Sequence, residues 1–111
     1  MLRHADFERV YKLGRRHFAA HMTVFYLRRD ELQPQGLRVG FTVGRVLGEA
    51  VQRNRMKRRL REAVRLNGFP PEVSADVVIN PKRSLLTADF EELRNEVAKA
   101  MQVIEKATTS V

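Results

Sequence analysis

Leu37-Arg-Val-Gly-Phe-Thr-Val43, followed after a short loop by Ala50-Val-Gln-Arg-Asn-Arg-Met-Lys-Arg-Arg-Leu-Arg-Glu62, is the stretch whose reading decides the fold. In the first part Leu37, Val39, Phe41 and Val43 alternate with Arg38, Gly40 and Thr42, the period of a strand with one buried face. Gly44 and Gly48 bracket the loop, and near Glu49 or Ala50 the period changes from 2 to 3.6. Met56, Leu60, Ala63 and Val64 then form one apolar stripe, with Asn54, Arg58, Arg61 and Arg65 opposite it. Asn67-Gly68 stops this helix and Pro70-Pro71 forbids its immediate resumption. Ala75-Asp-Val-Val-Ile79 follows as a short buried strand closed by Asn80-Pro81. A strand, a long amphipathic helix and a second strand thus occupy the middle of the chain.

Working outward, a first helix is predicted from about Asp6 to Leu13. Phe7, Val10 and Tyr11 stand at i, i+3 and i+4, Asp6 is placed to act as N-cap, and Gly14 supplies the stop. After the basic pair Arg15-Arg16, Met22-Thr-Val-Phe-Tyr-Leu27 is β-branched and aromatic, a strand too apolar for clean alternation. Charged and turn-forming residues run from Arg28 through Pro34 to Gly36. A last helix is signalled by Asp89-Phe-Glu-Glu92, which resembles a capping box, and by Phe90, Leu93, Val97, Met101 and Ile104 at helical spacing. The order is α, two or three strands, then α, β, α: an α+β sandwich with helices covering one face of a small sheet. A single domain over 1–111 is expected from the length, with a frayed tail at 107–111.

Charge narrows the partner. The chain carries 21 Lys and Arg against 13 Asp and Glu, a net +8, which points to a polyanion. Arg53, Arg55, Lys57, Arg58, Arg59, Arg61 and Arg65 face the single acid Glu62, so seven cations less one acid put +6 of that +8 in one segment. Arginines on successive helical turns repel one another by a few tenths of a kcal/mol per i,i+4 pair. A sugar-phosphate backbone turns that cost into binding, because each guanidinium can fork onto phosphate oxygens and release counterions. Asn54 adds an amide suited to a 2′-hydroxyl or base edge.

Other chemistries lack their residues. No cysteine is present, so neither a disulfide framework nor a thiolate metal site can form. His17 and His21 have i,i+4 spacing but no glutamate between them or carboxylate pair beside them, and His4 is remote. Asp76 has no partner acid at motif spacing and reads as a cap or turn residue rather than a metal ligand. Gly40, Gly44 and Gly48 lack the Gly-Lys-Ser/Thr continuation of a phosphate loop. No catalytic or metal-ligating protein residue is therefore expected. Apolar runs are too short to span a membrane, and no signal-peptide pattern follows Met1, so a soluble, cytoplasmic protein is expected.

Arg53-Asn54-Arg55, with Ala50-Val51 before it and Lys57-Arg58-Arg59-Leu60-Arg61-Glu62 after it, closely resembles the signature of the bacterial ribonuclease P protein family. The resemblance extends to Asp6-Phe7, Val10-Tyr11-Lys12, Gly14, Arg38-Val39-Gly40, Gly48 and Asp76-Val77-Val78-Ile79. It implies the order αβββαβα, a two-layer sandwich like domain 2 of ribosomal protein S5, with a left-handed βαβ crossover through the basic helix. The implied function is that of a subunit which binds a catalytic RNA and helps it remove the 5′ leader of precursor tRNA. Magnesium would be held mainly by the RNA, and neither a membrane nor DNA is an implied partner. Carried over by position, the contacts to catalytic RNA are Arg45, Arg53, Asn54, Arg55, Lys57, Arg58, Arg61 and Arg65. The leader contacts are Phe7, Tyr11, Lys12, Phe25 and Lys82, although spacing alone favours a core role for the three aromatics and only the resemblance raises the ligand role. The loop Gly44-Arg45-Val46-Leu47-Gly48-Glu49 departs from the family's usual Ser-Lys-Lys-Val-Gly-Asn, keeping only Arg45 as a cation and placing the acid Glu49 at the helix start. The alternative is a general RNA-binding or ribosome-associated protein without a processing role.

Overall fold

A computed structural model describes residues 2–29, 36–68 and 73–109, with side chains as far as 107. The turn expected across 30–35 and the break at Pro70-Pro71 lie outside the described residues, as do positions 110–111 of the expected tail. The elements are α1 (His4–Leu13), β1 (Arg15–Phe18), β2 (Met22–Arg28), β3 (Leu37–Phe41), α2 (Ala50–Asn67), β4 (Ala75–Pro81) and α3 (Phe90–Thr109), with 3₁₀ turns at Arg45–Leu47 and Arg83–Leu86. This is the order αβββαβα.

The four strands lie in the order β1-β2-β4-β3. β1 and β4 run antiparallel to β2, while β3 runs parallel to β4 and connects to it through α2. Strand alternation then sorts the side chains. Met22, Val24 and Tyr26 of β2 and Ala75, Val77 and Ile79 of β4 point to one face, where they meet Met56, Leu60, Ala63 and Val64 of α2 and Leu93, Val97, Ala100, Met101 and Ile104 of α3. The stripe predicted on α2 is the set of residues it buries.

The opposite face departs from the expectation that all helices share one side. α1 lies there, packing Leu2 and Val10 on Val78, with Phe7, Tyr11, Phe25 and Leu27 around them. The cause is the composition of β2 and β4: strands apolar on both sides must be covered on both sides. Gly40 permits the close fit, because a Cβ there would stand 2.6 Å from the Phe7 ring. The start of α1 also differs from the prediction. The helix begins at His4, and Asp6, two residues inside, accepts the Arg3 N–H at 2.8 Å. Asp6 therefore satisfies an unpaired donor of the first turn from within the helix rather than as its N-cap.

Candidate nucleic-acid interface

α2 opens with Glu49, whose N–H donates to the Gln52 side-chain oxygen at 2.9 Å, and closes at Gly68, whose N–H donates to the Val64 carbonyl. With its apolar stripe fixed against the sheet, the helical period aims the cations. Asn54, Arg55, Arg58, Arg61 and Arg65 are exposed, and Arg53 and Lys57 are half-buried. Arg55, Arg58 and Arg61 form no ion pair among the described residues. Arg65 is engaged by Glu62 one turn back, its Nε donating at 3.1 Å. That bond holds the Glu62 carboxyl below the usual range and raises the Arg65 guanidinium.

Arg59 belongs to the same basic run and does something else. It turns to the flank of α2 that meets the 3₁₀ turn after β4, donating to the carbonyls of Leu85 at 2.9 Å, Leu86 at 2.6 Å and also Ala88. On the other flank Lys57, Arg61 and Arg65, each one turn apart, border a groove of about 560 Å³ along the edge strand β3. Its floor is apolar, formed by Leu37, Val39, Phe41 and Val64, and it runs around the strand to Leu2 and Phe7. The groove thus brings one expected leader residue, Phe7, to the cations of α2.

Over the other face of the sheet, the structure gathers three of the expected leader residues. Tyr11 and Phe25 make an edge-to-face pair with ring centroids 4.9 Å apart, and Phe7 packs in the same cluster. The Tyr11 hydroxyl donates to the Asn80 Oδ1 at 2.9 Å and shares a 2.7 Å hydrogen bond with the Thr42 hydroxyl. All three rings are half-buried, so each has both packing and an open edge. Lys12 and Lys82 are exposed. Lys12 is in the last turn of α1, and the Lys82 ammonium donates to the Ala19 carbonyl at 3.0 Å. Neighbouring Arg83 donates to the Val46 carbonyl at 2.6 Å, tying the turn that carries exposed Arg45 to the end of β4.

Sequence reasoning missed Arg16 here. Its guanidinium lies 5.3 Å from the Phe25 ring centroid, a cation–π contact made possible because Arg16 and Phe25 are directly paired across β1 and β2. The missing signal was β1 itself, whose charged residues do not alternate with apolar ones.

Asp76 is neither a cap nor a turn residue. Only 1% exposed, it receives Arg29 Nη1 at 3.0 Å and a two-pronged contact from Arg38, Nε at 2.7 Å and Nη2 at 2.8 Å. Burial alone would raise this carboxyl and is the largest single influence, but the hydrogen bonds and charges of Arg38 and Arg29 together outweigh it and hold it below its ordinary range. The same hydrogen bond raises Arg38. His21 is likewise occupied. Its ring nitrogens bond the Ser84 hydroxyl and the Glu92 carboxylate, each at 2.8 Å, and its N–H donates to Glu96 at 3.0 Å. Among the described residues, no three His, Asp or Glu side chains converge as a metal cluster, and no helix is long and apolar enough to cross a membrane.

A family model described as Ribonuclease P matches residues 1–105 of the chain. The ribonuclease P protein component of Maridesulfovibrio salexigens is 41% identical over 85 residues, covering 77% of this chain and 68% of that protein. The corresponding component of Symbiobacterium thermophilum is 40% identical over 96 residues, covering 86% and 82%. Among solved structures, the RNase P protein from Thermotoga maritima superposes with a TM-score of 0.78 at 27% identity, covering 92% of this chain and 94% of that one.

Proposed function

The chain belongs to the ribonuclease P protein family, and from that premise we propose that it binds the catalytic RNA through the outer face of α2 and the 5′ leader of precursor tRNA through the cleft between α1 and the sheet. The observation that carries this reading is the division of labour on α2. Arg59 is spent on holding the fold, whereas Arg55, Arg58 and Arg61 point outward with no ion pair among the described residues. A folded chain gains nothing from that concentration of like charge, and a phosphate backbone supplies the missing counter-charge. Arg45, Arg53, Asn54, Lys57 and Arg65 flank these three as further contacts.

In the cleft, Phe7, Tyr11 and Phe25 offer ring edges and faces to unpaired bases, while Lys12 and Lys82 attract the leader's phosphates. Stacking does not demand a particular base, so this chemistry suits leaders of varied sequence. A mature tRNA lacks the leader and forgoes these contacts, which makes the cleft a device for preferring precursor over product. Phosphodiester hydrolysis itself is assigned to the RNA, with magnesium held mainly by RNA phosphates, in the cytoplasm.

The test is cleavage of precursor tRNA by rigorously RNA-free protein, by matched catalytic RNA, and by both together at physiological salt and magnesium. The expected outcome is no leader removal by the protein alone and a gain when it joins the RNA. Robust cleavage by the RNA-free protein contradicts the assignment.

A further inference from the structure

Phe18, at the end of β1, is a large aromatic that packing does not explain. It is 68% exposed. Pairing places Phe18 opposite Thr23, and Thr23 opposite Asn80. Directly paired side chains share a face, so these three form a row across the sheet. Thr42 joins that row through Tyr11, whose hydroxyl bonds both Thr42 and Asn80. The adjacent row is Arg16, Phe25, Val78 and Gly40, and α1 covers its Val78 and Gly40 end. Phe18 therefore stands on the α1 side of the sheet, one same-face step of about 7 Å along the strands from Phe25, outside the cover of the helix.

Its surroundings are cationic. From Gly14 to Leu27 the chain contains two arginines, Arg15 and Arg16, and no Asp or Glu. The Lys82 ammonium is held at the carbonyl of Ala19, the residue after Phe18. Glu92 and Glu96, which touch the turn of this hairpin, are engaged by His21. Arg15 and Arg16 on the edge strand discourage addition of another protein strand, a common use of charge at sheet edges. An exposed ring, hydroxyl and amide groups beside it, and cations around it are the parts of a single-stranded nucleic-acid platform.

We infer that Phe18 is a further base-stacking position, which extends the leader-binding surface beyond the Tyr11–Phe25 pair to the edge of the sheet. An unpaired nucleotide stacks on the Phe18 ring, its phosphate lies near Arg16 and Lys82, and Thr23 and Asn80 offer hydrogen bonds to its sugar or base edge. The inference rests on the leader-binding reading above and adds to it a reach: nucleotides farther along the leader contribute to affinity because this aromatic is present.

The experiment measures affinity of the assembled holoenzyme for precursors with short, intermediate and long leaders, and for mature tRNA, with Phe18→Ala, Phe18→Trp and Tyr11→Leu. Phe18→Ala should weaken binding of the longer leaders by about five-fold or more, the lower end of one base–aromatic stack. Short-leader precursor and mature tRNA should bind as before, and Phe18→Trp should restore the long-leader affinity and change its emission only when a long leader binds. Equal losses for every RNA, no loss for any leader, or a defect confined to association with another protein would each overturn the inference. Tyr11→Leu separates the two levels. If it reduces precursor but not mature tRNA affinity while Phe18→Ala does nothing, only the extension fails; if it too lacks leader dependence, the cleft assignment fails with it.

Discussion

Arginine serves opposite ends in two regions of this molecule. Around Asp76, Arg29 and Arg38 converge on one carboxylate that is 1% exposed, and Arg29 itself is 4% exposed. The three charges join the segment before β3, β3 itself and β4, and Asp6 of α1 approaches Arg38 at 3.5 Å. On the outer face of α2, Arg55, Arg58 and Arg61 are exposed and form no ion pair among the described residues. A buried guanidinium must be paired to remain in the fold, whereas an exposed one can wait for a partner at little cost. The difference teaches which arginines are structural and which are available, and no count of basic residues could have separated them.

The comparison breaks most severely at Asp76. Replacing it by asparagine removes the buried carboxylate that Arg29 and Arg38 share, and the expected loss is about 3 to 5 kcal/mol of stability, measured by denaturant unfolding. Its pH dependence has a definite sign. Because the folded carboxyl is held below its ordinary value, its contribution is fully present above the unfolded pKa of about 3.9 and is lost as pH falls through the folded value. Wild type should lose this component on acidification, and Asp76→Asn should lack it; equal stability of the two proteins at neutral pH would dissolve the distinction between the regions.

Arg59 sharpens the comparison within one helix. Arg59→Met keeps much of the apolar stem but removes the donors to Leu85, Leu86 and Ala88, and a loss of about 1 to 3 kcal/mol is expected. RNA affinity of the folded variant should fall less than with an outer-face change. The smallest effect on stability is expected for Arg58→Glu with Arg61→Glu, within about 0.5 kcal/mol, since both side chains leave the core untouched. A large loss of stability there would mean that the outer face also holds the fold together.

The two regions were unequally legible in the sequence. On α2, the 3.6-residue period of Met56, Leu60, Ala63 and Val64 orients every other side chain of the helix, so its outer face could be read locally. The Asp76 centre could not, because its arginines lie 47 and 38 residues away along the chain and meet only when β3 pairs with β4. The pattern left β1 open as a third strand without placing it, because an edge strand of charged residues has no apolar alternation. The position of α1 was signalled by apolar residues on both sides of β2, in Phe25 and Leu27 as well as Val24 and Tyr26. As for the cleft, helical spacing placed Phe7 and Tyr11 on one side of α1, but their meeting with Phe25 was implied by family resemblance and became geometry only in the folded chain.

The central claim, that the exposed cations of α2 are the seat of the catalytic RNA, is tested most directly by measuring the affinity of that RNA for wild type and for the Arg58→Glu, Arg61→Glu protein across a salt series. If six or more phosphates are neutralised, wild-type affinity should fall about 10³-fold or more between roughly 50 and 200 mM salt, taking duplex DNA as the guide. The double variant should bind more weakly throughout and with a shallower salt slope while unfolding like wild type. An unchanged affinity and slope in the folded double variant would contradict the account.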